Sequence, residues 1–110
     1  IDEDGEVFKI HWASKSLKGS IVLEWLPLTV QKVWLYNNML IGPINFRELP
    51  PNLRTLELAN NLFTGGICLE SLPTTLEILD VSGNQLTGPI NLESLPEPML
   101  ALYLNENEFV

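Results

Sequence analysis

The sequence predicts a solenoid that is mostly β, with a parallel sheet running along its length and very little helix. Three observations carry that expectation. Leu-Pro recurs at Leu26, Leu49, Leu72 and Leu95, a constant interval of 23 residues. Within each interval a short apolar alternation returns, as in Leu56-Glu57-Leu58, which sets two side chains on one face of a strand and the third on the other. One column is Asn in each of four successive units: Asn38, Asn61, Asn84 and Asn107.

The interval divides the chain as a single repeat domain over residues 1–110. Residues 26–48, 49–71 and 72–94 are full units, and 95–110 is an incomplete last one. Residues 1–25 form a degenerate first unit, because one period earlier Val7, Ile10, Trp12, Leu17, Gly19, Ile21 and Leu23 fall on the same frame. That frame reads LPxxLxxLxLxxNxLxGxIxLxx. Self-similarity of this kind is the signature of stacked units, each too small to bury its own apolar face.

Each position of the frame has a physical task. The alternating stretches predict parallel strands within 7–12, 30–35, 53–58, 76–81 and 99–104, with Leu56 and Leu58 inward and Glu57 outward. Asn follows where the chain leaves the strand, and its amide can bond backbone of its own and adjacent turns, so a ladder of four is expected. Gly of the GxI segment permits positive φ on the return side, while Ile and the following Leu or Phe refill the core. Pro after Leu limits helix before the next strand. Short 3₁₀ turns and a second set of extended segments at GxIxL complete the expected unit.

The frame resembles the leucine-rich repeat family, whose signature is LxxLxLxxNxL, and the resemblance covers essentially the whole chain. The GxI continuation at Gly42, Gly65 and Gly88 is similar to plant-type repeats, and LPxxLxxLxV is similar to the bacterial effector type. The opening DGEVFKIHW is similar to the amino-terminal cap of plant-type proteins, with Ile1 where a cap cysteine commonly stands. What the resemblance implies is an α/β-type leucine-rich repeat solenoid, a short right-handed superhelix with a concave parallel sheet. It also implies a protein-interaction module or scaffold subunit that holds its partner on that concave face. The alternative is a recognition segment of a receptor or effector.

Charge narrows the partners. Of 110 residues, fourteen are acidic and six basic, for a net charge of −8. Every Lys and Arg lies at or before Arg54, so residues 55–110 carry the whole imbalance. Such a field repels nucleic acid and anionic lipid and favours a protein partner with a basic surface, within a larger assembly. No apolar run reaches the length of a membrane span. The single cysteine, Cys68, excludes an internal disulfide. The missing cap cysteine and the lack of an N-x-[ST] sequon lean toward an intracellular setting. The apolar last unit, Met99, Leu102, Leu104 and Phe109 without a return segment, leads us to expect either more chain after Val110 or a neighbour covering that edge.

The strand columns supply the candidate site. Between the strand apolars stand His11, Trp34, Glu57, Asp80 and Tyr103, and Tyr36 lies two residues after Trp34. Trp34, Tyr36 and Tyr103 are expected to be exposed aromatics, the residue types that dominate interface energetics, although they could equally pack against a flank. Glu57 and Asp80, on adjacent strands about 5 Å apart, are either merely solvated or a carboxylate pair of the kind used for acid and base chemistry or a cation site. Their acidic end would orient a partner that presents a basic segment. Catalysis is not expected: the one His and one Cys lie in unrelated columns, so no nucleophile, base and orienting group can be assembled. No cofactor or metal is expected either, because Asp2-Glu3-Asp4-Gly5 lacks the spacing of a calcium loop and Gly65-Gly66 that of a phosphate loop. Glu24, Arg47, Glu70 and Glu93 form a charged column read as a solvated flank.

Overall fold

The computed structural model describes residues 9–21 and 23–109. Two parallel five-stranded sheets run side by side through the described residues. The first holds β1 (Lys9–His11), β3 (Lys32–Trp34), β5 (Thr55–Glu57), β7 (Ile78–Asp80) and β9 (Ala101–Tyr103), in that order. The second holds β2 (Lys18–Ser20), β4 (Met39–Pro43), β6 (Leu62–Gly65), β8 (Gln85–Gly88) and β10 (Glu108–Phe109). Pairing in the first sheet follows the repeat without slip, from Ile10 to Val33, Leu56, Leu79 and Leu102. The first-strand position Val7 lies outside the described residues.

Between the sheets the apolar columns merge into one core. Val33, Leu56 and Leu79 from the strand centres are fully buried, together with Leu35, Leu58 and Val81 from the next inward position. Leu40, Phe63 and Leu86 enter from the second sheet, and Leu53 and Leu76 from the segment before the strand. Met99, Leu102, Leu104 and Phe109 pack on this core only partly buried. Trp12 departs from its expected place: it occupies the column of Leu35 and Leu58 yet is 49% exposed. It follows β1, the edge strand of the described sheet, and so has a described repeat against it on one side alone, while its backbone bond to the Trp34 carbonyl keeps the main chain in register.

The polar turn is held by asparagine. Asn61 donates through Nδ2 to the Leu35 carbonyl at 3.0 Å, one repeat back, and to the Leu58 carbonyl at 3.1 Å, while its Oδ1 accepts from Leu40 N at 3.1 Å. Asn38, Asn84 and Asn107 bond in the same manner. These amides are how the backbone groups released at each bend find partners away from water. Among the described residues, no buried side-chain nitrogen or oxygen lacks a hydrogen bond.

The second sheet lies upstream of where GxIxL placed it. Strands β4, β6, β8 and β10 each begin one residue after a ladder Asn, and β2, β4, β6 and β8 end at or one residue beyond their glycines, which sit at φ +95° for Gly42 and +83° for Gly65. The stretch after them, expected to be extended, instead closes into 3₁₀ turns at Leu23–Trp25, Phe46–Glu48 and Leu69–Ser71. Asn45 explains the closure in one unit, its Oδ1 accepting from Arg47 N at 3.1 Å as a cap that competes with strand pairing. On the flank, Arg54 pairs with Glu77 at 3.9 Å, both partly exposed, which contributes little to stability.

Candidate functional site

The outward face of the first sheet brings the sequence-predicted residues into one row. Register pairs His11 with Trp34, Trp34 with Glu57, Glu57 with Asp80 and Asp80 with Tyr103. Each strand turns its first and last side chains outward and its central one into the core, so Lys9, Lys32, Thr55, Ile78 and Ala101 form a second row on the same face. Tyr36 stands beside the row, two residues past Trp34 on the same face.

The amino-terminal end of the row is an aromatic cluster. The His11 imidazole lies 5.3 Å from the Trp34 indole at an interplanar angle of 56°, and 6.4 Å from the Tyr36 ring at 41°. Trp34 and Tyr36 are consequently half-buried rather than fully exposed as the column predicted. Aromatic rings on adjacent strands cover one another at strand spacing, and a sequence column does not register that mutual cover. Tyr103 is open as expected, 50% exposed.

The middle of the row is anionic and oriented. Glu57 and Asp80 are both half-buried neighbours. Burial pushes the Glu57 carboxyl above its ordinary value and the adjacent Asp80 charge pushes it further, against smaller opposing effects of a hydrogen bond from the Trp34 side chain and the His11 ring. Asp80 is pinned through one oxygen, Oδ1 accepting from Ser82 Oγ at 2.6 Å and Ser82 N at 3.0 Å. Ser82 escaped the sequence reading, though an Asp followed two residues later by Ser is a turn signal that could have found it. The floor beside the acids is low on one side, at Ala59 and Ser82, while on the other Ile78 rises between Thr55 and Ala101.

Chemically, the row offers two aromatic ends and two central carboxylates. Among the described residues no group of three or more His, Cys, Asp or Glu has metal-binding geometry. A groove of about 460 Å³ lies elsewhere, on the return side among Phe46, Gly66, Ile67 and Pro89. Cys68 borders it, its thiol in contact with Ser71 Oγ at 3.1 Å and Glu70 Oε1 at 3.4 Å. Apolar side chains that the frame did not mark as surface, Met39, Ile41 and Leu62, are exposed on the second sheet.

Comparison with known proteins agrees with this architecture. The family described as Leucine Rich Repeat matches residues 52–73 and 75–95. The ectodomain of the receptor kinase SOBIR1 from Arabidopsis thaliana superposes with a TM-score of 0.76 at 29% identity, over 94% of this chain and 55% of that one. The ectodomain of the Arabidopsis thaliana membrane receptor kinase GASSHO1/SCHENGEN3, solved in complex with CASPARIAN STRIP INTEGRITY FACTOR 2, gives 0.76 at 32% identity, over 86% of this chain and 12% of that one. The plant peptide hormone receptor RGFR1, solved in complex with RGF2, shares the fold with a TM-score of 0.54 at 24% identity, over 86% of this chain and 20% of that one. The chain thus spans about half the length of the first of these and a small part of the others. Comparison with curated proteins finds no match. By its repeat frame, its paired parallel sheets and these likenesses, the chain is a leucine-rich repeat protein with plant-type repeats.

Proposed function

We propose that the outward face of the first sheet is a protein-binding surface, centred on His11, Trp34, Tyr36, Glu57, Asp80 and Tyr103, and that its partner presents a basic surface. The observation that carries this reading is the row itself. Its aromatics and acids take no part in the core, while their strand neighbours Ile10, Val33, Leu56 and Leu79 do. Large aromatics outside a core are the residues that anchor interfaces, and paired carboxylates select a cationic partner. Asn38, Asn61, Asn84 and Asn107 serve the scaffold beneath. The repeat domain acts by binding, not catalysis, as a scaffold subunit or interaction module.

A second role, the recognition segment of a receptor, is favoured by the 32% identity to a receptor ectodomain solved with a bound factor. Both roles use the same face. The test is affinity capture of native partners with the wild type, a Trp34→Ala/Tyr103→Ala variant of the first sheet and an Ile41→Ser/Leu62→Ser variant of the second. Loss of a partner confined to the first variant supports the reading. Loss confined to the second overturns it.

A further inference from the structure

The row has a spacing as well as a composition. Neighbouring strands stand about 4.8 Å apart, so Trp34 and Tyr103, three strand steps from each other, are separated by about 14 Å. Halfway between them lies the gap between Glu57 and Asp80, about 7 Å from either aromatic. An extended peptide rises about 3.4 Å per residue and turns alternate side chains to one face, so its residues i, i+2 and i+4 meet a surface at intervals of about 7 Å. The two intervals coincide.

Resting on the reading of this face as a binding surface, we propose that it recognises an extended segment lying across the strands with an apolar residue, a cationic residue and a second apolar residue at alternate positions. The central Arg or Lys sits between Glu57 and Asp80, and the apolar residues rest on Trp34 and Tyr103. Charge complementarity selects the occupant, because no Lys or Arg occurs anywhere in residues 55–110, the stretch that contributes both carboxylates and Tyr103. Arg54, the nearest basic residue before that stretch, is engaged with Glu77. Asp80 offers its second oxygen, since Oδ1 is held by Ser82. The short side chains of Ala59 and Ser82 leave room for a peptide backbone on one side of the acids, with Ile78 standing on the other.

Three synthetic peptides, acetylated and amidated, test this by calorimetric titration into the 110-residue chain. The first is Gly-Leu-Ser-Arg-Ser-Leu-Gly, the second replaces Arg with Gln, and the third is Gly-Leu-Arg-Ser-Ser-Leu-Gly, which moves the cation one place out of phase. The first binds at least tenfold more tightly than either other, and the preference disappears in a Glu57→Gln/Asp80→Asn variant. Equal affinities, no binding of the first peptide, or a preference that survives in the variant overturns the proposal. A native partner that depends on Trp34 and Tyr103 but tolerates Glu57→Gln/Asp80→Asn defeats this inference alone. A partner indifferent to all four residues defeats the binding face itself.

Discussion

The side-chain oxygen of Asn60 occupies the place where a Cβ on Gly83 would stand, one repeat further along. Both residues belong to a column of left-handed turns, with φ +57° at Asn37, +55° at Asn60 and +65° at Gly83. Asn60 Nδ2 in turn donates to Asn37 Oδ1 at 3.0 Å, so a second, outer asparagine ladder ends at the glycine. Gly83→Ala should therefore lower stability by about 1–2 kcal/mol, from left-handed strain with a displaced Asn60. Gly83→Asn should cost less, since Asn tolerates this conformation in the two preceding repeats. Denaturant unfolding of the two variants gives the order.

Removing one rung of the inner ladder should do more damage. Asn61→Ala strands the buried Leu40 amide and takes one of two asparagine donors from each of the Leu35 and Leu58 carbonyls, which keep Asn38 and Asn84. Each buried group left without a partner costs about 1–3 kcal/mol. A melting temperature close to that of the wild type would contradict the ladder's role.

The fold was legible because the strand and ladder columns are decided by the period alone. Leu56, Leu58 and Asn61 each repeat a choice made in the neighbouring units, and stacking leaves one register in which all are satisfied. What the frame did not convey are events between side chains. The cover of Trp34 and Tyr36 by His11 depends on ring orientations, and the pinning of Asp80 depends on a Ser two residues away. The second sheet begins before the GxI segment, because pairing starts just after the asparagine, where Leu40 N already meets Asn61.

Acidity supplies a further test. Glu57 holds its proton more tightly in the folded chain than its ordinary value allows, owing to burial and to Asp80. Its favourable contribution is therefore present below the unfolded-state value and is lost as pH rises through the raised folded-state value. Glu57→Gln should accordingly be more stable than the wild type at neutral pH, by an amount that shrinks as the pH falls through the carboxylate range. Thermal melts of both proteins across that range measure the difference.

Charge on the row should govern how quickly a basic partner arrives. Asp80→Lys reverses a carboxylate in the acidic middle and should slow association most at low ionic strength, with the deficit narrowing as salt screens it. Stopped-flow association rates at several salt concentrations check this. A deficit that is independent of salt would point to lost contact rather than lost steering.

The central claim, that the first sheet's outward face is where a partner binds, is tested most directly by the affinity of that partner for Tyr103→Ala beside the wild type. Tyr103 is the cleaner choice, because half of it is exposed and Trp34 is partly covered by His11. The account predicts a loss of about 1–3 kcal/mol in binding with a nearly unchanged melting temperature. Unchanged affinity, with the partner's footprint lying wholly on the second sheet or the 3₁₀ turns, would contradict it.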